Sequence, residues 1–275
     1  MARHVLEGGH ELGVWARRAA AADPLVASGA TAHETPAALA ARSDVVVTMV
    51  TGTRDVEEVL LGENGVIHGA RPGTVVVDMS TISAAATRRM AAALEDRDVQ
   101  MLDAPVTGGP AGAEAATLTI MVGGDPAVVK RAEPVLGCLG TVVRMGGNGA
   151  GQTAKACNQL AILVTAEGVA EALALGLRCG LNPSTLRHAL LGGLASSRVL
   201  DLFGARMVTR EFDSGIETRL YHKDLHTVLD MARDARQPVP AASLVMGHLD
   251  ALMNGQAGRK DLSILIELVE KLSDS

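Results

Sequence analysis

An α/β domain with a mostly parallel sheet, followed by an all-helical domain, is the architecture this sequence predicts. Three observations carry the prediction. Short apolar runs rich in β-branched residues alternate with helical stretches as far as residue 148. Beyond it those runs stop, and long alanine- and leucine-rich stretches take over. The chain has 275 residues, 48% hydrophobic and 20% charged, enough to bury one large core or two of ordinary size. Strands separated by helices of this length form βαβ units, which put helices on both faces of a sheet. The expected domains are therefore 1–148 and 149–275.

In chain order, strands are read in "ELGVW" (11–15), "DVVVTMV" (44–50), "TVVVDMS" (74–80), "VQMLDAPV" (99–106), "LTIMVGG" (118–124) and "TVVRMG" (141–146). Between them, Thr53 to Leu61 and Ser83 to Glu95 read as helices, each opened by a hydroxyl residue able to cap free backbone N–H groups. One long helix is expected from Gly151 to Arg178, with Glu167 and Glu171 on one face, Gly168 and Gly176 available for close helix contact, and Gly180 ending it. A new helix then starts in "LNPSTLRHALLGG", with Asn182 as cap and Pro183 in its first turn. An α/β half followed by a helical half suggests a cofactor domain and a substrate or assembly domain with the reacting groups between them.

Composition excludes several function classes. A net charge of −6 with no basic cluster gives no attraction to nucleic acid or to an anionic membrane surface. The start "MARHVLEGGHELGVW" lacks a signal-peptide core, and no uncharged apolar run reaches the length of a membrane helix, so a cytoplasmic setting is expected. Cys138, Cys157 and Cys179 are odd in number and widely spaced, and read as reduced core residues. The helical half carries more apolar face than one small bundle covers, which predicts a homodimer or homotetramer.

Four constellations carry chemistry. In "GNGAGQTAKACNQ" (147–159), Lys155, Asn158 and Gln159 stand at i, i+3 and i+4 and share one face of the long helix near its start. In "DAPVTGGPAG" (103–112), the Thr107 hydroxyl and the backbone N–H groups at Gly108 and Gly109 form a cradle for a carboxylate or phosphate, although Pro and Gly alone make a plain turn. "VVVDMSTIS" puts Ser80 and Thr81 at the carboxyl edge of a strand, where open parallel sheets bind ligands; helix capping accounts for part of this cluster. In "YHKDLHTVL", His222 and His226 stand at i and i+4, but the zinc-protease pattern lacks its Glu, and no metal site is expected. Lys223 beside them is a cation able to reach a cofactor or substrate.

"DAPVTGG", "GNGAGQTAKACNQ" and "HKDL", in this order and spacing, resemble the motifs of the β-hydroxyacid dehydrogenases, the family that includes 3-hydroxyisobutyrate and 6-phosphogluconate dehydrogenases. The resemblance covers essentially the whole chain and implies a doubly wound Rossmann-type parallel sheet followed by a helical domain. It implies that Lys155 is the catalytic proton donor and that Thr107, Gly108, Gly109, Asn158 and Gln159 hold the substrate. Thr107 stands where the family more often has serine, and keeps the hydroxyl. Ser80 and Thr81 would lie by the nicotinamide, Met49, Val50 and Thr51 along the ribose side, and Lys223 over the cofactor. "LLGGLASSRVLD" and "FDSGIETRLYHKDL" are most similar to the branch that reduces tartronate semialdehyde, with 3-hydroxyisobutyrate or another short β-hydroxyacid as the alternative substrate.

The chain departs from the family at its start. "MARHVLEGGHELGVW" is similar to the helix after the family's glycine-rich loop, so the first strand and that loop are absent here, and the chain begins roughly fifteen residues late. The expectation is a true start upstream; a truncated, non-catalytic dimer module is the alternative. The glycines of 147–151 then serve a tight turn rather than a dinucleotide. At the end of the next strand Ala16, Arg17 and Arg18 replace the acidic residue typical of NAD enzymes, which favours NADPH while NADH stays open.

Overall fold

A computed structural model describes residues 1–272. The chain divides into two compact units, Met1–Lys155 and the remainder from Ala156. The first contains strands β1 (Gly13–Val14), β2 (Thr31–Ala32), β3 (Val45–Thr48), β4 (Val75–Asp78), β5 (Gln100–Asp103), β6 (Val106–Thr107), β7 (Leu118–Gly123) and β8 (Gly140–Gly146). Its helices are α1 (Ala2–Glu7), α2 (Asp23–Val26), α3 (Pro36–Ala40), α4 (Thr53–Leu61), α5 (Ala84–Glu95), α6 (Gly109–Glu114) and α7 (Pro126–Leu136). Helix α8 (Ala150–Arg178) runs from the first unit into the second, which continues with α9 (Pro183–Leu191), α10 (Arg198–Thr209), α11 (Thr218–Asp234), α12 (Pro240–Asn254) and α13 (Leu265–Leu272).

The main sheet has six strands in the order β3-β4-β5-β7-β6, with β8 paired to β7. Pairs β3/β4, β4/β5 and β7/β8 are parallel. Strand β4 is central and buried along its whole length, because alternate valines serve opposite faces. Val75 and Val77 pack with Leu102, Ile120 and the α7 residues Val128 and Leu136; Val76 packs with Val46, Met101 and the α4 and α5 residues Leu60, Met90 and Leu94. Each such leucine taken out of water contributes about 1.5–3 kcal/mol.

Antiparallel pairing enters where the sequence reading had one strand over 99–106. Asp103 faces Gly123, Val106 faces Ile120 and Thr107 faces Thr119 in one constant register, and the Met121 N–H donates to the Pro105 carbonyl between them. Strands β5 and β6 are thus one line interrupted at Pro105, which has no N–H to give. The strand that ends in Asp103 therefore also fixes Thr107. Strands β1 and β2 pair only with each other, and β3 stands at the free edge of the main sheet. Among the described residues no strand lies between them, which leaves Val47 and Met49 exposed on that edge.

Two local expectations need correction. Thr53 does not cap α4: Gly52 holds the cap position and the Asp55 carboxylate takes its N–H, so Thr53 is free to accept from the Ser83 N–H. The cysteines are free, but only Cys138 is partly buried; Cys157, off the core-facing stripe of α8, and Cys179, just after its last residue, are exposed.

The second unit is helical throughout, as the loss of β-branched runs predicts. Leu163, Ala166, Ala170 and Leu173 of α8 pack with Phe203 and Met207 of α10, Tyr221 and Leu225 of α11, and Val245 and Leu249 of α12. By length and composition α8 would suffice to cross a membrane. Its inner stripe belongs to this core, and it carries Glu167, buried against the His248 ring at 2.8 Å. Gly176 gives the expected close helix contact, against Leu186 of α9, whereas nothing approaches Gly168. Gly180 ends α8 in the left-handed region, and the Asn182 side chain accepts from the Thr185 N–H to open α9.

Candidate active site

The site-forming residues of the first unit gather at the carboxyl ends of β3, β4 and β5. Two aspartates organise them. Asp78, the last residue of β4, is fully buried; its Oδ1 accepts from the Thr48 hydroxyl at 2.8 Å and the Ser80 N–H at 3.2 Å, while its Oδ2 has no partner. Burial pushes its carboxyl up to about 6, against the hydrogen bonds from Ser80 and Thr48, and the nearby Asp103 charge adds to the rise. The Ser80 hydroxyl accepts from the Val50 N–H at 2.9 Å, which ties the segment Met49–Thr51 to the end of β4. Met49 is 54% exposed and Thr51 is exposed, while Thr81 is partly buried beside the buried Ser80.

Asp103, the last residue of β5, is also fully buried. Its two oxygens accept from the Gly149 N–H at 2.7 Å and the Gln152 N–H at 2.9 Å, so a carboxylate closes the open backbone donors at the start of α8. Burial raises its pKa even against these donors. Gln152 spreads the junction further: its side-chain oxygen accepts from the Ile82 N–H at 3.1 Å and its amide donates to the Ser80 carbonyl at 2.7 Å. The first turn of α8 is thereby fastened to the ends of both β4 and β5. Lys155 follows one turn later and is only 8% exposed.

Glycines make this junction possible. A Cβ on Gly151 would stand 2.7 Å from the Asp103 carbonyl oxygen, and one on Gly123 would stand 2.5 Å from the Asp103 Oδ1. The run "GNGAG" thus permits close approach of helix to strand end, with Asn148 donating to the Met101 carbonyl at 2.6 Å. Gly108 and Gly109, at φ of 128° and 66°, turn the chain directly after Thr107, in a region that L side chains rarely adopt.

In the second unit a chain of side chains links two of the sequence motifs. The Asn158 amide donates to the Gln159 oxygen at 2.9 Å, the Gln159 amide donates to Asp224 Oδ2 at 2.7 Å, and Lys223 Nζ stands 2.8 Å from Asp224 Oδ1. Gln159 is buried and its amide group is engaged at both ends; Asn158 and Lys223 are partly exposed. Arg17 is drawn to Asp55 at 2.6 Å and so to the start of α4, while Arg18 is exposed.

Sequence reasoning named Ser80, Lys155, Gln159 and Lys223 but missed Asp78 and Gln152, which bond Ser80, Asp103, which holds the start of α8, and Asp224, which bonds Gln159 and Lys223. A signal for two of these exists: "VVVD" and "QMLD" each end an apolar strand in a carboxylate, a residue type that is rarely buried without a partner.

Residues 1–147 match the family model described as the NAD binding domain of 6-phosphogluconate dehydrogenase, and residues 149–269 match that described as NAD-binding of NADP-dependent 3-hydroxyisobutyrate dehydrogenase. The chain is 38% identical to 2-hydroxy-3-oxopropionate reductase of Escherichia coli K12 over 275 residues, covering 100% of this chain and 94% of that protein. It is 34% identical to 2-(hydroxymethyl)glutarate dehydrogenase of Eubacterium barkeri, over 90% of this chain and 83% of that one. Among solved structures, 3-hydroxyisobutyrate dehydrogenase from Salmonella typhimurium superposes with a TM-score of 0.89 at 31% identity, covering 97% of this chain and 94% of that chain.

Proposed function

The chain belongs to the β-hydroxyacid dehydrogenase family of NAD(P)-dependent oxidoreductases acting on CH–OH groups, and from that membership we propose that it reduces tartronate semialdehyde to glycerate with NADPH. The observation that carries this reading is the fastening of α8 by Asp103 and Gln152, one turn before Lys155, to the strand line that continues into Thr107.

Residues of the first unit suit the nicotinamide and ribose ends of a nicotinamide dinucleotide. The exposed Met49 and Thr51 and the partly exposed Val50 and Thr81 offer apolar and hydroxyl contacts at the edge of an open sheet, and Ser80 holds that edge together. Arg17 and Arg18, exposed after β1, suit the 2′-phosphate that distinguishes NADPH. The bound cofactor supplies the hydride.

The protein's own residues do the rest. Thr107 and the backbone N–H groups of Gly108 and Gly109 suit the substrate carboxylate. Lys155 hydrogen-bonds the aldehyde oxygen and gives it a proton as negative charge develops there, its ammonium stabilising that charge. Gln159 and Asp224 keep Asn158 and Lys223, the residues that the motifs assign to substrate and cofactor, in place.

A second reading, reduction of the semialdehyde corresponding to 3-hydroxyisobutyrate, is favoured by the likeness to the Salmonella structure. Steady-state rates on a panel of short semialdehydes, with NADPH and NADH in parallel and followed by the absorbance of the reduced nicotinamide, decide between them. The expected result is the highest kcat/KM for tartronate semialdehyde with NADPH. A higher value for another semialdehyde replaces the substrate, and no calorimetric binding of either cofactor leaves a non-catalytic module.

A further inference from the structure

We propose that His222, His226 and Asp250 form a zinc(II) site that clamps α11 to α12. The two histidines lie one turn apart on α11, and their rings meet edge to face with centroids 4.6 Å apart. Asp250, on α12, reaches across so that its Oδ1 stands 2.8 Å from His222 Nε2. One ligand atom from each of the three lies within 4.8 Å of the other two. Tetrahedral zinc with bonds near 2.0–2.1 Å needs ligand atoms about 3.3 Å apart, so modest side-chain rotations convert the cluster into a coordination shell. Sequence alone discounts the pair for want of a Glu between the histidines; the third ligand comes from a different helix.

The ligand set selects the ion. Two imidazoles and one carboxylate suit a borderline divalent cation such as zinc, and leave its fourth position to water. His226 and Asp250 are exposed and His222 is partly buried, so an ion has direct access from solvent. The site lies apart from the side-chain chain that runs through Asp224. On α11, Asp224 is turned more than half way round from His222 and is bonded to Gln159. The ion instead ties together two helices whose contact faces carry Leu225, Val228, Val245 and Leu249, and a ligand bound only by the folded protein stabilises it.

The test uses full-length protein without an affinity tag, stripped with EDTA. Zinc titration by calorimetry is expected to give one ion per chain and to raise Tm. Cobalt(II) as a probe is expected to give visible ligand-field bands without a thiolate charge-transfer band, which separates this site from the exposed Cys157 and Cys179. His226→Gln and Asp250→Asn, both at exposed positions, should each weaken zinc by at least about tenfold and remove the Tm shift; His188→Gln, exposed on α9, should change neither. The proposal is overturned by a thiolate band, by unchanged affinity in both ligand variants, or by no binding at millimolar zinc, in which case His222 and Asp250 form only a hydrogen bond.

Discussion

Lys155 and Asp78 are both buried charged residues, and their burial has opposite consequences. For Lys155, in the proposed role of proton donor, shielding from water strengthens the attraction between its ammonium and a developing alkoxide. Lys155→Ala should lower turnover by about 10² to 10⁴ while leaving the dissociation constant for NADPH, measured by fluorescence titration, unchanged. An equal loss in both would make the lysine structural. For Asp78, the folded protein holds its proton up to about pH 6, whereas the unfolded chain releases it near 3.8. Its contribution to stability is therefore complete below about pH 4 and is lost as pH rises through 6. Asn at this position can accept from Thr48 and Ser80 as Asp does, and has no charge to bury. Asp78→Asn should flatten that fall, gaining about 1–2 kcal/mol on the wild type between pH 5 and pH 8 in urea melts. Parallel pH profiles would show that Asp78 titrates normally. Lys155 was legible in the sequence because a lysine in a known motif stands out; Asp78 was not, because the burial that matters to it comes from α4 and α5 packing over β4.

At the scale of elements, the start of α8 is the point on which the site depends. The sequence run "GNGAG" was readable as a tight turn, but its purpose lies in strand β5, forty-odd residues earlier, whose Asp103 takes two backbone N–H groups of the helix. Gly151→Ala would drive a methyl group onto backbone oxygens of β5 and β7, neither of which can give way as a side chain would. The expected cost is about 3 kcal/mol or more in a denaturant melt, with kcat falling as Lys155 shifts. A variant as stable and as active as the wild type would remove the argument for this junction. The break between β5 and β6 was hidden for a related reason: apolar patterning is the same for parallel and antiparallel neighbours, so only the register with β7 reveals that Thr107 extends the line of Asp103.

At the scale of the whole molecule, the helical unit leaves large apolar side chains in water. Leu175 is 66% exposed on α8, and Leu202 and Leu244 are exposed on α10 and α12. Faces of this kind on long helices pack against a second copy in symmetric oligomers. Light scattering should therefore give two or four times the 28.3 kDa of the chain. Leu175→Arg should reduce that mass, because a charge in the middle of a helix contact is costly to desolvate. A single-chain mass for the wild type would refute the assembly.

By itself the sequence determined the class of each half, the positions of most strands along the chain, the extent of the long helix and the family motifs with Lys155 at their centre. These follow from local periodicity and from short runs of residue types, which a linear reading contains. The tertiary structure alone decided which backbone donors Asp103 closes, that Asp78 is buried with an unpartnered oxygen, that β3 is a free edge, and that Asp250 joins two histidines of another helix. Each of these is a meeting of groups far apart in the chain, and burial and pairing of that kind exist only once the chain has folded.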